Sequence, residues 1–195
     1  MVIDYVQEKW KRQHGADPGA WIKHYQDSTG LPSRQAVLAG LRHLQPWGSL
    51  CELGCHAGPM LGMIAEEFPT AGLTGVEVNP VAAQAAKRNV PQANIALERL
   101  QEWLDRDEHV DVIVTHYTLA YVAPESIRPI LAQCCRVAKR GLVLAEPMGD
   151  EGLIWAFPEW RHDYVRHLTS LGLKDFTGAS VEGVGNLNGV LAVRL

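Results

Sequence analysis

Glu52, Gly54, His56 and Gly58 fall within one stretch, Glu52-Leu-Gly-Cys-His-Ala-Gly-Pro-Met60, set between a short apolar run and a helical one. That is the place of a cofactor-binding strand-to-helix turn, where glycines let the backbone bend tightly and approach a ligand that a Cβ would exclude. Glu77 lies near the end of the next strand-like run, Ala71 to Val78. It stands about twenty residues past the glycines, the spacing at which a carboxylate can take both hydroxyls of a ribose. A nucleoside is the expected ligand. A second group, Thr115-His-Tyr-Thr118, closes a later apolar run and offers His116 as a proton acceptor and Tyr117 as a phenol or pocket wall.

Alternating strand and helix patterns position these residues. Strands are expected at 49–53, 72–78, 94–97, 110–115 and 142–145, separated by helices at 57–68, from Pro80 behind an Asn79 cap, at 98–105, and at 127–139 capped by Ser126 and stopped at Gly141. The pattern argues a parallel sheet with helices on both faces. A helix at 159–171 precedes two final strands, 173–180 and 187–194. The loop 182–186 between them is too short for a parallel crossover, so they must pair antiparallel. Upstream, helices are expected at 4–12 and at 33–44, the latter capped by Ser33. The irregular segment 14–30, carrying Trp21 and Tyr25, has the length and turn chemistry of a lid.

At 195 residues the chain holds one domain with a sizeable core. A net charge of −4 leaves no basic footprint for nucleic acid, and no run of eighteen apolar residues suggests a membrane span. Cys51, Cys55, Cys134 and Cys135 lack metal-ligand or disulfide-framework spacing, so reduced thiols, no metal and a cytoplasmic location are expected.

Glu52, the glycine turn and Glu77 together resemble the first two motifs of the class I S-adenosylmethionine-dependent methyltransferases. His56 stands where that family usually has its middle glycine, which changes what lines the methionine end of the pocket. The resemblance covers 48–195 and implies a Rossmann-like doubly wound α/β sheet, mostly parallel with an antiparallel C-terminal strand. Residues 1–47 would then form a helical cap.

In such a sheet the ligand lies beyond the carboxyl ends of the strands. This selects Gly54, Cys55, His56 and Gly58, then Glu77 and Val78, then Glu98, Arg99 and Leu100, then His116 to Leu119. The resemblance assigns Glu52 to bracing the turn and approaching the methionine amino group, Glu77 to the ribose and Val78 to the adenine face. Glu98, or a backbone amide near it, meets the adenine edge. His116 either serves as the base or lines the pocket against the cofactor. Glu146 stands at a strand end, fit to cap or to bind substrate, and Trp155, Phe157 and Trp160 form an aromatic group that is either core or substrate wall. No Asp-Pro-Pro-Tyr, Asn-Pro-Pro-Tyr or Pro-Cys segment of the base-modifying enzymes follows strand four. The implied reaction is therefore methyl transfer from S-adenosylmethionine to an oxygen or nitrogen of a small molecule, with room for a homodimer. A nicotinamide-dependent oxidoreductase and a non-catalytic cofactor-binding subunit are the competing readings.

Overall fold

A computed structural model describes residues 20, 22–23, 27–154, 159–181 and 189–195. The expected helix at 4–12, most of the segment 14–30 with Trp21 and Tyr25, and the aromatic residues Trp155 and Phe157 lie outside it.

The strands are Ser49–Leu53 (β1), Gly72–Glu77 (β2), Asn94–Leu97 (β3), Val110–His116 (β4), Ala138–Glu146 (β5), Gly152–Leu153 (β6), Trp160–Arg161 (β7), Asp175–Ala179 (β8) and Gly189–Arg194 (β9). Seven of them form one sheet in the order β3-β2-β1-β4-β5-β9-β8, and β6 pairs with β7 apart from it. The five strands from β3 to β5 run parallel, whereas β9 lies antiparallel to both β5 and β8. The order reverses between β1 and β4, which opens a crevice at their carboxyl ends.

The helices are Pro32–His43 (α1), Pro59–Glu67 (α2), Pro80–Asn89 (α3), Leu100–Leu104 (α4), Pro124–Val137 (α5) and Tyr164–Ser170 (α6). Strand side chains alternate between faces, so Val112, Val114 and Val143 enter one core with Leu38 and Leu41 of α1 and Leu61 and Ile64 of α2. Ile113, Leu142 and Leu144 enter the other with Trp103 of α4, Leu131 of α5 and Leu168 of α6. Helix α1 lies close on the sheet, for a Cβ on Gly40 would come within 3.2 Å of Val143 Cγ1 and 3.4 Å of Ala192 Cβ. No helix of the described residues is long and apolar enough to cross a membrane.

Several boundaries differ from the sequence expectation, each for a physical reason. Helix α5 begins at Pro124 rather than 127 and is not capped by Ser126; Pro124 takes the first helical position, where its fixed φ and missing N–H are harmless. Gly141 does not end that helix. It sits inside β5 opposite Arg194, where a Cβ would meet the Val193 carbonyl oxygen and lie 2.8 Å from Leu44 Cδ1. Helix α1 likewise begins at Pro32 with Leu31 at its cap position, so Ser33 is an interior, fully buried helix residue. Helix α6 starts at Tyr164 behind an Asp163 cap, because the short β6–β7 ladder occupies the residues before it.

Candidate functional site

The turn after β1 is left-handed at alternate residues: Gly54 has φ +75°, His56 +49° and Gly58 +82°. His56 thus adopts the conformation a glycine would take in its place, at a cost of about 1–2 kcal/mol for a side chain in this region. Gly54 has a second reason to be glycine: a Cβ there would lie 2.7 Å from Thr118 Cγ2 and closer still to its hydroxyl. The loops after β1 and β4 therefore touch directly at the reversal point.

The amides of Gly54, Cys55, His56 and Gly58 are committed within the protein. Gly54 and Cys55 donate to the Val76 carbonyl at 2.8 and 3.0 Å, and Gly58 donates to the Cys55 carbonyl at 2.9 Å. His56 N–H donates to Glu77 Oε2 at 2.9 Å, while Glu77 Oε1 accepts from the Asn79 amide at 2.7 Å. Pro59 supplies no N–H, and the Leu61 amide in the first turn of α2 draws on the Glu52 carboxylate. A dinucleotide fold spends these donors on a pyrophosphate. Here carbonyls and carboxylates take them.

Glu52 and Glu77 are both buried. Burial pushes the Glu52 carboxyl up to about 8; the Arg34 guanidinium opposes that rise and Glu77 adds to it. Glu52 Oε2 is buried and makes no hydrogen bond among the described residues. Burial likewise raises Glu77, against the pull of its amide donors. Arg34, only 3% exposed on the N-terminal turn of α1, lies close enough to act electrostatically on both Glu52 and His116.

At the end of β4, His116 Nε2 and Ser33 Oγ are hydrogen-bonded at 2.9 Å. Burial and the Arg34 guanidinium hold the imidazole down to about 3, so it is neutral at any working pH. Tyr117 follows with φ +53°, its amide on the Ala145 carbonyl at 2.8 Å. Glu146, fully buried at the end of β5, accepts from the amides of Thr118, Leu119 and Ala120 at 2.9, 3.1 and 3.2 Å. Its carboxyl is pushed up to about 7 by burial, against the pull of those donors. It thereby caps the 3-10 turn Leu119–Tyr121.

A methyltransferase-domain family model matches residues 50–141. Trans-aconitate 2-methyltransferase of Variovorax paradoxus is 28% identical over 103 residues, 53% of this chain and 39% of that protein. Residues 50–141 are thus similar to the methyltransferase domain. Magnesium protoporphyrin IX methyltransferase of Synechocystis with bound S-adenosylhomocysteine superposes with a TM-score of 0.76, at 13% identity, over 100% of this chain and 99% of that one. The plantazolicin methyltransferase BpumL, in complex with a triazolic desmethyl analogue and S-adenosylhomocysteine, gives 0.52 at 21% identity, over 73% and 58%. These two likenesses are of fold. The aligned segment spans 39% of the length of the curated relative.

Within this methyltransferase fold the turn, Glu52, Glu77 and His116 come together through the contacts above. Cys55 does not join them by its side chain: the thiol is buried in the core, where a Cβ on Gly75 would lie 2.7 Å from it. Its N–H is taken by Val76. The Glu98 amide reaches the Glu77 carbonyl at 3.1 Å, but its carboxylate is held by Arg106 at 2.8 Å. Arg99 occupies the cap position of α4, and Leu100 packs on the second core. Val78, half-buried, follows Glu77 at the end of β2.

Sequence reasoning missed Ser33 and Arg34. A signal was present, for Arg34, Val37, Leu38 and Leu41 stand at the spacing of one buried helix stripe. A charged residue on that stripe, at the helix end nearest the strand ends, has a polar partner to meet.

Proposed function

We propose that the chain transfers a methyl group from S-adenosylmethionine to an oxygen or nitrogen of a small-molecule acceptor. The observation that carries this is the buried Glu52 oxygen without a hydrogen bond, set near the Arg34 guanidinium beside a turn whose glycine a Cβ would obstruct. A carboxylate and a guanidinium this near one another complement an amino acid's ammonium and carboxylate. Glu52 would hold the first and Arg34 the second. Glu77, braced by two amides, would turn its remaining lone pairs to the ribose; Val78 would lie against the adenine, with the backbone near Glu98 at its edge. When bound, S-adenosylmethionine supplies a methyl group already activated by its sulfonium. The chain's share of the work is then alignment and the exclusion of water.

Calorimetry with S-adenosylhomocysteine tests this reading, and binding in the micromolar range is expected. No heat at millimolar ligand would reject it. Glu77→Ala should weaken binding by roughly ten- to a hundred-fold through loss of charge-assisted hydrogen bonds worth about 1.5–3 kcal/mol. An unchanged dissociation constant would remove Glu77 from the ribose.

His116 is better placed to position than to accept a proton. Its Nε2 is engaged by Ser33, and burial together with Arg34 disfavours the imidazolium a base must become. His116→Gln, able to keep a hydrogen bond to Ser33, should therefore retain turnover within about ten-fold, with a pH–rate profile parallel to that of the natural protein. A loss of a hundred-fold or more in kcat at unchanged cofactor affinity would return the base role to His116.

A further inference from the structure

Directly beyond β4, two phenols converge on one carboxylate. Tyr117 donates to Glu159 Oε2 at 3.0 Å and Tyr121 donates to Glu159 Oε1 at 3.4 Å. The two rings meet edge to face, with centroids 6.0 Å apart. All three side chains are half-buried, so a ligand can reach them. Glu159 is held in place by its backbone, whose carbonyl accepts from the Ile154 amide at 3.0 Å at the end of the β6–β7 ladder. Among the described residues Glu159 has no Lys, Arg or His partner.

We propose that Tyr117, Tyr121 and Glu159 form the acceptor site of the methyltransferase and that the acceptor is an amine. This rests on the methyl-transfer reading above and narrows it. A phenol has one proton to donate, and here both protons are spent on Glu159. What Glu159 offers a ligand is acceptor lone pairs and one formal negative charge. An ammonium or amine N–H meets both, through hydrogen bonds to the carboxylate. A carboxylate acceptor would face like charge.

The site also accounts for the proton. An ammonium held at Glu159 first gives up one proton, which Glu159 is placed to take and pass to solvent; the neutral amine's lone pair then forms the N–C bond as the C–S bonding pair returns to sulfur, leaving a thioether and an N-methylammonium. The left-handed φ of Tyr117 is what turns the chain at the strand end and brings its phenol to Glu159.

A matched pair of probes tests the proposal on the full chain saturated with S-adenosylhomocysteine: phenethylamine and 3-phenylpropanoate, which share a phenyl ring on a short chain and differ in the charge at its end. Ligand-observed NMR titration should show the amine binding at least ten-fold more tightly than the acid. Glu159→Gln, its fold checked by thermal melting, should abolish that preference. Preference for the acid, binding of neither probe, or an amine affinity unmoved in Glu159→Gln would overturn the proposal while S-adenosylhomocysteine binding stands. Failure of S-adenosylhomocysteine itself to bind would overturn the methyltransferase reading, and the amine site with it.

Discussion

Glu52→Gln is expected to make the ligand-free protein more stable at pH 8 than the natural sequence, and to leave it a poorer binder of the cofactor. The Glu52 carboxyl is raised from its ordinary 4.5 to about 8, first by burial. Between those values the unfolded chain has ionised this group and the folded chain has not. The folded state then binds more protons, and stability falls as pH rises through the window. At about 1.4 kcal/mol per pH unit the full span is on the order of 5 kcal/mol. Glutamine keeps the shape and carries no charge, so the variant should be near parity at pH 5 and gain about 2 kcal/mol or more at pH 8. Urea unfolding at both pH values measures this. Equal pH dependence in the two proteins would show that Glu52 ionises freely.

On the proposed reading, the same group would tie cofactor binding to a proton. To pair with an ammonium at pH 7, Glu52 must give up the proton that burial holds on it, so S-adenosylhomocysteine should bind with release of close to one proton. Affinity should rise as pH rises toward 8 and fall at higher pH, once the ligand's amino group loses its charge. Calorimetry in two buffers of different ionisation enthalpy reads the proton directly. In Glu52→Gln the release should vanish, and affinity should drop ten-fold or more.

Much of this architecture was legible in the sequence because its signals are local and periodic. The apolar run 110–115 reads as a buried strand, found at Val110–His116, and Asn79-Pro80 marks a helix start by cap chemistry that the structure repeats, with Asn79 Oδ1 accepting from the amides of Val81 and Ala82. The antiparallel pairing of β8 with β9 followed from loop length alone. The errors came where one residue type has two uses. Gly141 looks like a helix stop but is required by the closeness of β9 and Leu44. Ser33 looks like a cap but is a buried partner of His116. The β6 and β7 strands, two residues each, are too short to carry a period. Glu159 was passed over for a different reason: its partners Tyr117 and Tyr121 are about forty residues away, and no pattern links a carboxylate to phenols across such a gap.

Removing the Glu146 carboxylate should be among the most damaging single changes in the chain. Its two oxygens take three consecutive amides, from Thr118, Leu119 and Ala120, and the side chain is fully buried. Glu146→Ala leaves these donors without an acceptor, two of them on buried residues, and opens a cavity. Each orphaned donor costs about 1–3 kcal/mol, so a loss of roughly 3–5 kcal/mol in unfolding free energy is expected. Glu146→Gln keeps one carbonyl oxygen for Thr118 and Leu119 but turns an NH2 toward the Ala120 amide, so it should fall between the two. The loss should be local before it is global. These amides anchor the turn that carries Tyr121 and follows Tyr117, so hydrogen exchange at 117–121 should accelerate in Glu146→Gln under conditions where the rest of the sheet stays protected. Uniform acceleration across the β4 and β5 strands would instead make Glu146 a support of the whole core, and protection at 117–121 equal to that of the natural protein would show that the turn stands without it.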